Sequence, residues 1–270
     1  MKKQKGGVRN FYDYENTRDY DHELMMAVYE NDYEAVRRLL SKANLNMMIS
    51  YPLPKINYEV KDHDRPVNLT PMLLAVGMGH LHIAILLMDQ YPEVKTGQTT
   101  SDGDSIYHLA ACVHSDFMTR HLMERRGWKQ VDVYNKFGQT PLMFAAYGSS
   151  KPNIDLLISR GANVNAVDAY GKTPLFYAVT MIVGQGMDEG KWRDRALDAT
   201  KALVAHGAGL DDIEYYIEHA QQTGNIRIAN YLQSIKSGGK SKTKNPLKKP
   251  RKKKSIKHVV AVQAGRGAKH

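Results

Sequence analysis

Thr140-Pro141-Leu142-Met143-Phe144-Ala145-Ala146 returns 33 residues later as Thr173-Pro174-Leu175-Phe176-Tyr177-Ala178-Val179. Upstream, Thr70-Pro71-Met72-Leu73-Leu74-Ala75-Val76 and Ser105-Ile106-Tyr107-His108-Leu109-Ala110-Ala111 keep the series at intervals of 35 residues. Behind each run comes a second with helical spacing of apolar residues. Examples are Gly79-His80-Leu81-His82-Ile83-Ala84-Ile85-Leu86-Leu87 and Ile154-Asp155-Leu156-Leu157-Ile158-Ser159-Arg160-Gly161-Ala162-Asn163-Val164-Asn165. A period of this length marks a stacked repeat architecture, and it organises the whole chain.

The Thr or Ser hydroxyl caps a helix N-terminus by accepting a backbone N–H bond. Proline follows at the first helical position, where its missing N–H costs nothing and its fixed φ suits the helix. The Ala-Ala or Ala-Val pair lets a neighbouring helix approach closely. Gly161 and Gly207 fit the left-handed residue that ends a second helix. Asn135-Lys136-Phe137-Gly138 and Asp168-Ala169-Tyr170-Gly171 carry turn chemistry. Each unit is thus a turn and two antiparallel helices, too small to bury its own apolar face, and stacking supplies the core.

These runs resemble ankyrin repeats, whose pattern is a D-x-x-G-x hairpin tip, then T-P-L-H-x-A-A, then G-H-x-E-I-V-x-L-L-L-x-x-G-A-D-V-N. Residues 136–180 match best and 65–91 match well. Residues 101–127 are a degenerate copy, with Ser105 for Thr, Ile106 for Pro, and His108-Leu109-Ala110-Ala111 intact. Leu24-Met25-Met26-Ala27-Val28 with Glu34–Leu40 opens the stack, and Ile217-Glu218-His219-Ala220 with Thr223–Leu232 closes it. The resemblance implies an all-α ankyrin-repeat solenoid of about six repeats over residues 21–235, with short β-hairpin-like turns.

Three segments interrupt the period. Residues 46–64, with Pro52 and Pro54, read as an extended loop between the first two repeats. Residues 182–197, with Gly184, Gly186, Gly190 and Trp192, read as an insert between the helices of the fifth; the sequence leaves open whether Trp192 meets a partner or tucks against the stack. Ser237-Gly238-Gly239 reads as a hinge into a lysine-rich tail, 236–270. At the other end, residues 1–20 form an aromatic and acidic arm, including Phe11, Tyr12, Tyr14 and Tyr20, suited to capping the first repeat or docking elsewhere.

Charge divides the 270 residues sharply. Residues 236–270 hold 13 Lys or Arg and no Asp or Glu, whereas residues 10–235 carry a net −7. The longest apolar runs fall under half of the ~20 residues a membrane span needs, and the basic N-terminus shows no apolar run of a secretory signal. A soluble intracellular protein is expected, cytoplasmic, or nuclear in a eukaryotic host. A single cysteine, Cys112, excludes an internal disulfide and a Cys-based zinc site.

Catalytic readings fail on context. Ala166-Val167-Asp168-Ala169-Tyr170-Gly171-Lys172-Thr173 departs from the phosphate-loop pattern only at Ala166, but no buried strand precedes it, and the same residues are a repeat tip and helix cap. His108 occupies the family's T-P-L-H position, where the imidazole bonds neighbouring turns; His80 and His206 also fall at family positions. No H-E-x-x-H occurs, so no metal is called for. Cys112 has no neighbouring cation to activate it. The reading is a non-enzymatic protein without cofactors.

Binding remains. The family's concave surface is made of hairpin tips and first helices. By register it takes Val67, Leu69, Asp102, Asp104, Phe137, Gln139, Tyr170 and Lys172 at the tips, and Met78, Val113, Tyr147 and Met181 on the helices. Phe137, Tyr147 and Tyr170 would share an aromatic patch or else cover their own turns. Lys248, Lys249, Arg251, Lys252, Lys253 and Lys254 form a cluster suited to phosphates or to nuclear import. The expected function is an adaptor for a protein partner, monomeric outside its complex. The alternative is a component of a nucleic-acid-rich assembly (ribonucleoprotein, chromatin or virion) anchored by the tail.

Overall fold

The computed structural model describes residues 9–10, 20–51, 67–91, 97–125, 128–180 and 189–239. Among them twelve helices run in six consecutive antiparallel pairs: α1 (Tyr20–Tyr29) with α2 (Tyr33–Leu39), α3 (Pro71–Gly77) with α4 (Leu81–Gln90), α5 (Ile106–Cys112) with α6 (Phe117–Arg125), α7 (Pro141–Tyr147) with α8 (Lys151–Ser159), α9 (Pro174–Val179) with α10 (Glu189–Ala205), and α11 (Ile213–Gln222) with α12 (Ile226–Gly239). The first helices stack in the order α1-α3-α5-α7-α9-α11. This is the all-α ankyrin solenoid that the repeat pattern implies.

The helix starts follow the sequence chemistry. Thr70, Thr140 and Thr173 each accept a hydrogen bond from the backbone N–H three residues on, at Leu73, Met143 and Phe176, and proline opens all three helices. Ala75, Ala110, Ala111, Ala145, Ala146 and Ala178 are completely buried where first helices meet. The closest approach is at Gly148, at the end of α7: a Cβ there would lie 2.2 Å from the Cys112 carbonyl oxygen. Only a residue without a side chain fits that contact.

A second device joins the repeats. The residue just before three of the second (outer) helices, α4, α8 and α12, bonds a carbonyl at the end of the first (inner) helix of the preceding repeat: His80 Nε2 to Tyr29 O at 3.1 Å, Ser150 Oγ to Val113 O at 2.7 Å, and Asn225 Nδ2 to Val179 O at 3.1 Å. At the degenerate repeat Asn153 reinforces the Ser150 contact. Its Nδ2 lies 3.0 Å from Ala111 O, 2.6 Å from Val113 O and 3.2 Å from Ser115 O, so one buried amide caps the frayed C-terminus of α5.

Several expectations are corrected. The 46–64 segment is not wholly loop: β2 (Ile49–Tyr51) pairs antiparallel with β3 (Val67–Leu69), and β1 (Arg9–Asn10) adds in parallel to β2. Within the 182–197 segment, residues 189–197 are helical, because α10 begins at Glu189. Trp192, Ala196, Ala199 and Leu203 recur on one helical face that packs against the stack, and Trp192 lies half-buried with its ring centroid 4.6 Å from that of His114. The Ser237-Gly238-Gly239 hinge is instead the last turn of α12, where the Ser237 hydroxyl donates to Gln233 O at 2.8 Å. Residues 1–8 and 11–19 of the arm, 52–64 of the first insert, Met181, 182–188 of the second insert and 240–270 of the tail lie outside the described residues.

Candidate protein-binding face

Three consecutive hairpin tips share one internal grammar. Thr100 Oγ1, Asn135 Oδ1 and Asp168 Oδ1 each accept backbone N–H bonds from the residues two and four positions on, at 2.8 to 3.2 Å. All three are buried, and the arrangement is the side-chain turn for which Asx and Thr residues are suited. Successive tips are laced together: Lys136 N–H donates to Asp102 O at 3.1 Å, and Ala169 N–H to Phe137 O at 2.8 Å. The face is therefore rigid where a partner would meet it.

The two positions that the turn presents differ in direction. Two residues after the turn anchor stand Asp102, Phe137 and Tyr170. Tyr170 is 44% exposed, and its ring stacks on the half-buried Phe137 at 6.4 Å between centroids. Four residues after the first two anchors, at Asp104 and Gln139, the side chains turn inward, whereas Lys172 in the third tip reaches across the surface to Tyr215. Gln139 is 2% exposed; its Nε2 donates to Tyr177 Oη at 2.7 Å, and its Oε1 accepts from Asn135 Nδ2 at 2.8 Å. Asp104 accepts from Asn135 Nδ2 at 2.7 Å and from Thr100 Oγ1 at 3.1 Å. Its carboxyl is pushed up to about 6, mainly by burial. Tyr177 Oη completes the line by donating to Asp168 Oδ2 at 2.6 Å. One buried polar chain thus crosses three tips.

Gln139 is accordingly an interior brace rather than a contact residue. Leu69 is corrected in the same way: pairing of β3 with β2 turns it into the core, and it is fully buried. Val67 lies in the same strand, opposite Tyr51. Met78 ends α3 and is 38% exposed; Val113 follows α5 and is half-buried. Tyr147 joins the stacked pair poorly. It ends α7, about 9 Å along the axis from Pro141 by helical rise, and it packs against the core, where burial pushes its hydroxyl up to about 12.

The histidines that invite a metal reading have structural partners. Ser105 N–H donates to His108 Nδ1 at 3.1 Å, so the ring proton sits on Nε2, which donates to Gln139 O at 3.0 Å. Burial holds this imidazole neutral, lowered to about 4. His206 Nε2 lies 3.0 Å from Asp155 Oδ1. Cys112 is pushed up to about 12, chiefly by burial, which suppresses the thiolate. The phosphate-loop look-alike is the last of these three tips, closed by Asp168 and ending in the Thr173 cap. Among the described residues no three His, Cys, Asp or Glu gather to hold a metal ion, and no helix is long and apolar enough to cross a membrane.

One cluster escaped the sequence reading. Lys172 donates to Tyr215 Oη at 2.5 Å and lies 4.1 Å from the Phe176 ring centroid; Phe176 stacks on Tyr215 at 5.8 Å, and Tyr215 touches His219 at 4.0 Å. A second aromatic cluster, built on the buried Phe176 with Tyr215 36% exposed, thus lies at the last repeat. Asp212 stands at the N-cap position of α11 as Thr173 does at α9, although only Thr173 makes a side-chain capping bond, so Tyr215 and Phe176 hold equivalent positions. Aligning Asp212 with the threonine caps is the signal that finds it.

The family profile described as ankyrin repeats (3 copies) matches residues 108–187. A fowlpox virus (strain NVSL) protein named for its ankyrin repeats is 27% identical over 115 residues, which is 40% of this chain and 60% of its own. A Danio rerio protein with a palmitoyltransferase name is 34% identical over 179 residues, 63% of this chain and 25% of its own. The mouse B-cell lymphoma 3 protein homolog is 26% identical over 239 residues, 84% of this chain and 46% of its own. The chain spans from about a quarter to three fifths of the length of these relatives. Capped helix pairs, laced hairpin tips and these matches lead to one conclusion: the chain carries a stack of ankyrin repeats, a fold that serves as a protein–protein interaction module.

Proposed function

We propose that the protein is a non-enzymatic adaptor that holds a protein partner on the tips and inner helices. Phe137 and Tyr170 are its anchors; Asp102 and Lys172 belong to the same row of tips, with Val67, Met78, Asp104, Val113, Tyr147 and Met181 as flanking positions. The observation that carries this reading is the stacked, partly exposed Phe137–Tyr170 pair on tips braced from beneath. Rigid aromatics lose little entropy on binding, and each anchor contributes about 2 kcal/mol, close to thirtyfold in affinity.

A second reading is favoured by the charge partition. The 13 basic residues of 236–270, with Lys248, Lys249, Arg251, Lys252, Lys253 and Lys254 at their centre, fit phosphates or an import receptor, and a nucleic-acid-rich assembly would use them as its anchor. One experiment separates the readings: pull-downs with the wild-type chain, with Phe137→Ala/Tyr170→Ala, and with Lys248–Lys254 changed to Gln, each with and without nuclease. Nuclease-resistant partners lost only in the aromatic variant support the adaptor. Partners lost to nuclease and to the Gln variant, but kept by the aromatic variant, overturn it in favour of the assembly.

A further inference from the structure

The C-terminal basic segment leaves the stack beside a carboxylate-rich edge. α11 and α12 are antiparallel, so the end of α12 returns to the start of α11, and Lys236 Nζ pairs with Glu214 Oε1 at 2.7 Å. Asp211 and Asp212 precede α11 and Glu218 follows Glu214 by one turn, all exposed and, among the described residues, without a cationic partner. Tyr215 rises between them, 36% exposed, on a ring stack that already takes the Lys172 ammonium. Residues 240–270 then add 12 Lys or Arg and no acid, against a net −7 over residues 10–235.

We propose that this edge of the last repeat, Asp211, Asp212, Glu214 and Glu218 around Tyr215, is a docking surface for the chain's own lysine-rich segment, residues 240–270. The first lysine of the basic region already sits there. The segment's tether is short enough to give an effective concentration on the order of 1 mM, and extended it reaches about 100 Å. Carboxylates draw the lysines onto an edge whose ring cluster, Phe176, Tyr215 and His219, already holds the Lys172 ammonium. Docking withdraws the segment from phosphates; a segment docked about nine-tenths of the time binds a polyanion about tenfold more weakly than a free one.

The test uses the full chain and Asp211→Asn/Asp212→Asn/Glu218→Gln. Asparagine retains the capping preference at Asp212, and equal melting curves verify the fold. An amine-reactive crosslinker joins segment lysines to Lys172 and Lys236, with Lys42, Lys136 and Lys151 as distant controls. Expected are crosslinks to Lys172 that do not depend on protein concentration, that vanish near 1 M salt, where screening acts within about 3 Å, and that are lost in the variant. Binding of a 20-base-pair DNA duplex should rise about tenfold in the variant; this arm alone rests on the phosphate reading. Crosslinks spread evenly to the controls, or unchanged in the variant, overturn the proposal. Crosslinks as expected without any duplex binding support docking and overturn the phosphate reading instead.

Discussion

Acid should weaken this fold through His108 and be partly offset by Asp104, in opposite directions that mutations can separate. His108 is lowered from 6.5 to about 4 by burial between Ser105 and Gln139. The native state keeps it neutral while the unfolded chain protonates it, so its stabilising contribution is full above pH 6.5 and is lost as the pH falls toward 4. From pH 7 to pH 5 that loss is about 2 kcal/mol. Asp104 is raised from 3.8 to about 6, so the folded state holds a proton that the unfolded chain releases. Its contribution is present below pH 3.8 and is lost as the pH rises through 6; from pH 7 to pH 5 it returns about 1 kcal/mol. Urea unfolding followed by circular dichroism at both pH values, on wild type, His108→Gln and Asp104→Asn, isolates each group by difference. Stability of His108→Gln should fall less than that of wild type, and stability of Asp104→Asn should fall more, by roughly 1–2 kcal/mol in each direction. Equal pH dependence in all three would refute the neutral buried imidazole and the protonated carboxyl together.

Two contacts between repeats carry further predictions. Gly148→Ala places a Cβ 2.2 Å from the Cys112 carbonyl oxygen, and the forced shift should destabilise by about 1–3 kcal/mol; a wild-type urea midpoint would mean that the approach of α7 to α5 is looser than described. Asn153→Ala strips the Ala111, Val113 and Ser115 carbonyls of their shared donor and should cost about 1–3 kcal/mol, with hydrogen exchange accelerating in α5 before α9. Uniform acceleration across the stack would argue against a local cap.

Legibility followed distance along the chain. The Thr-Pro caps, the alanine pairs and the His108 bridge could be read because their chemistry is completed within one repeat or transferred by register to the next. Trp192 was hidden by its glycine neighbours: Gly184, Gly186 and Gly190 suggested a loop, while the face made by Trp192, Ala196, Ala199 and Leu203 shows a helix extended backward to reach His114. Gln139 and Leu69 were placed on the binding face by register alone. Register locates a backbone position but does not decide direction where a strand pairing or a buried polar chain pulls the side chain inward. Tyr215 was missed because its helix starts with aspartate rather than threonine.

The degenerate third repeat explains why the stack needs both of its polar systems. Ser105-Ile106 lacks the Thr-Pro start, and α5 ends in an extended Val113 instead of a helical turn. The unit thus has weak signals at both ends of its inner helix, and a repeat with low intrinsic stability persists only through its interfaces. The fourth repeat provides them at each end: Asn135 and the Gln139 carbonyl hold Asp104 and His108 at the start of α5, while Ser150 and Asn153 hold its last carbonyls. The tip that these bonds brace is the one that presents Phe137. A perturbation of the third repeat should therefore reach the aromatic pair through Asn135, whose side chain links Asp104 to the backbone N–H of Phe137. Stability of the weakest repeat and geometry of the candidate binding face are set by the same few amides.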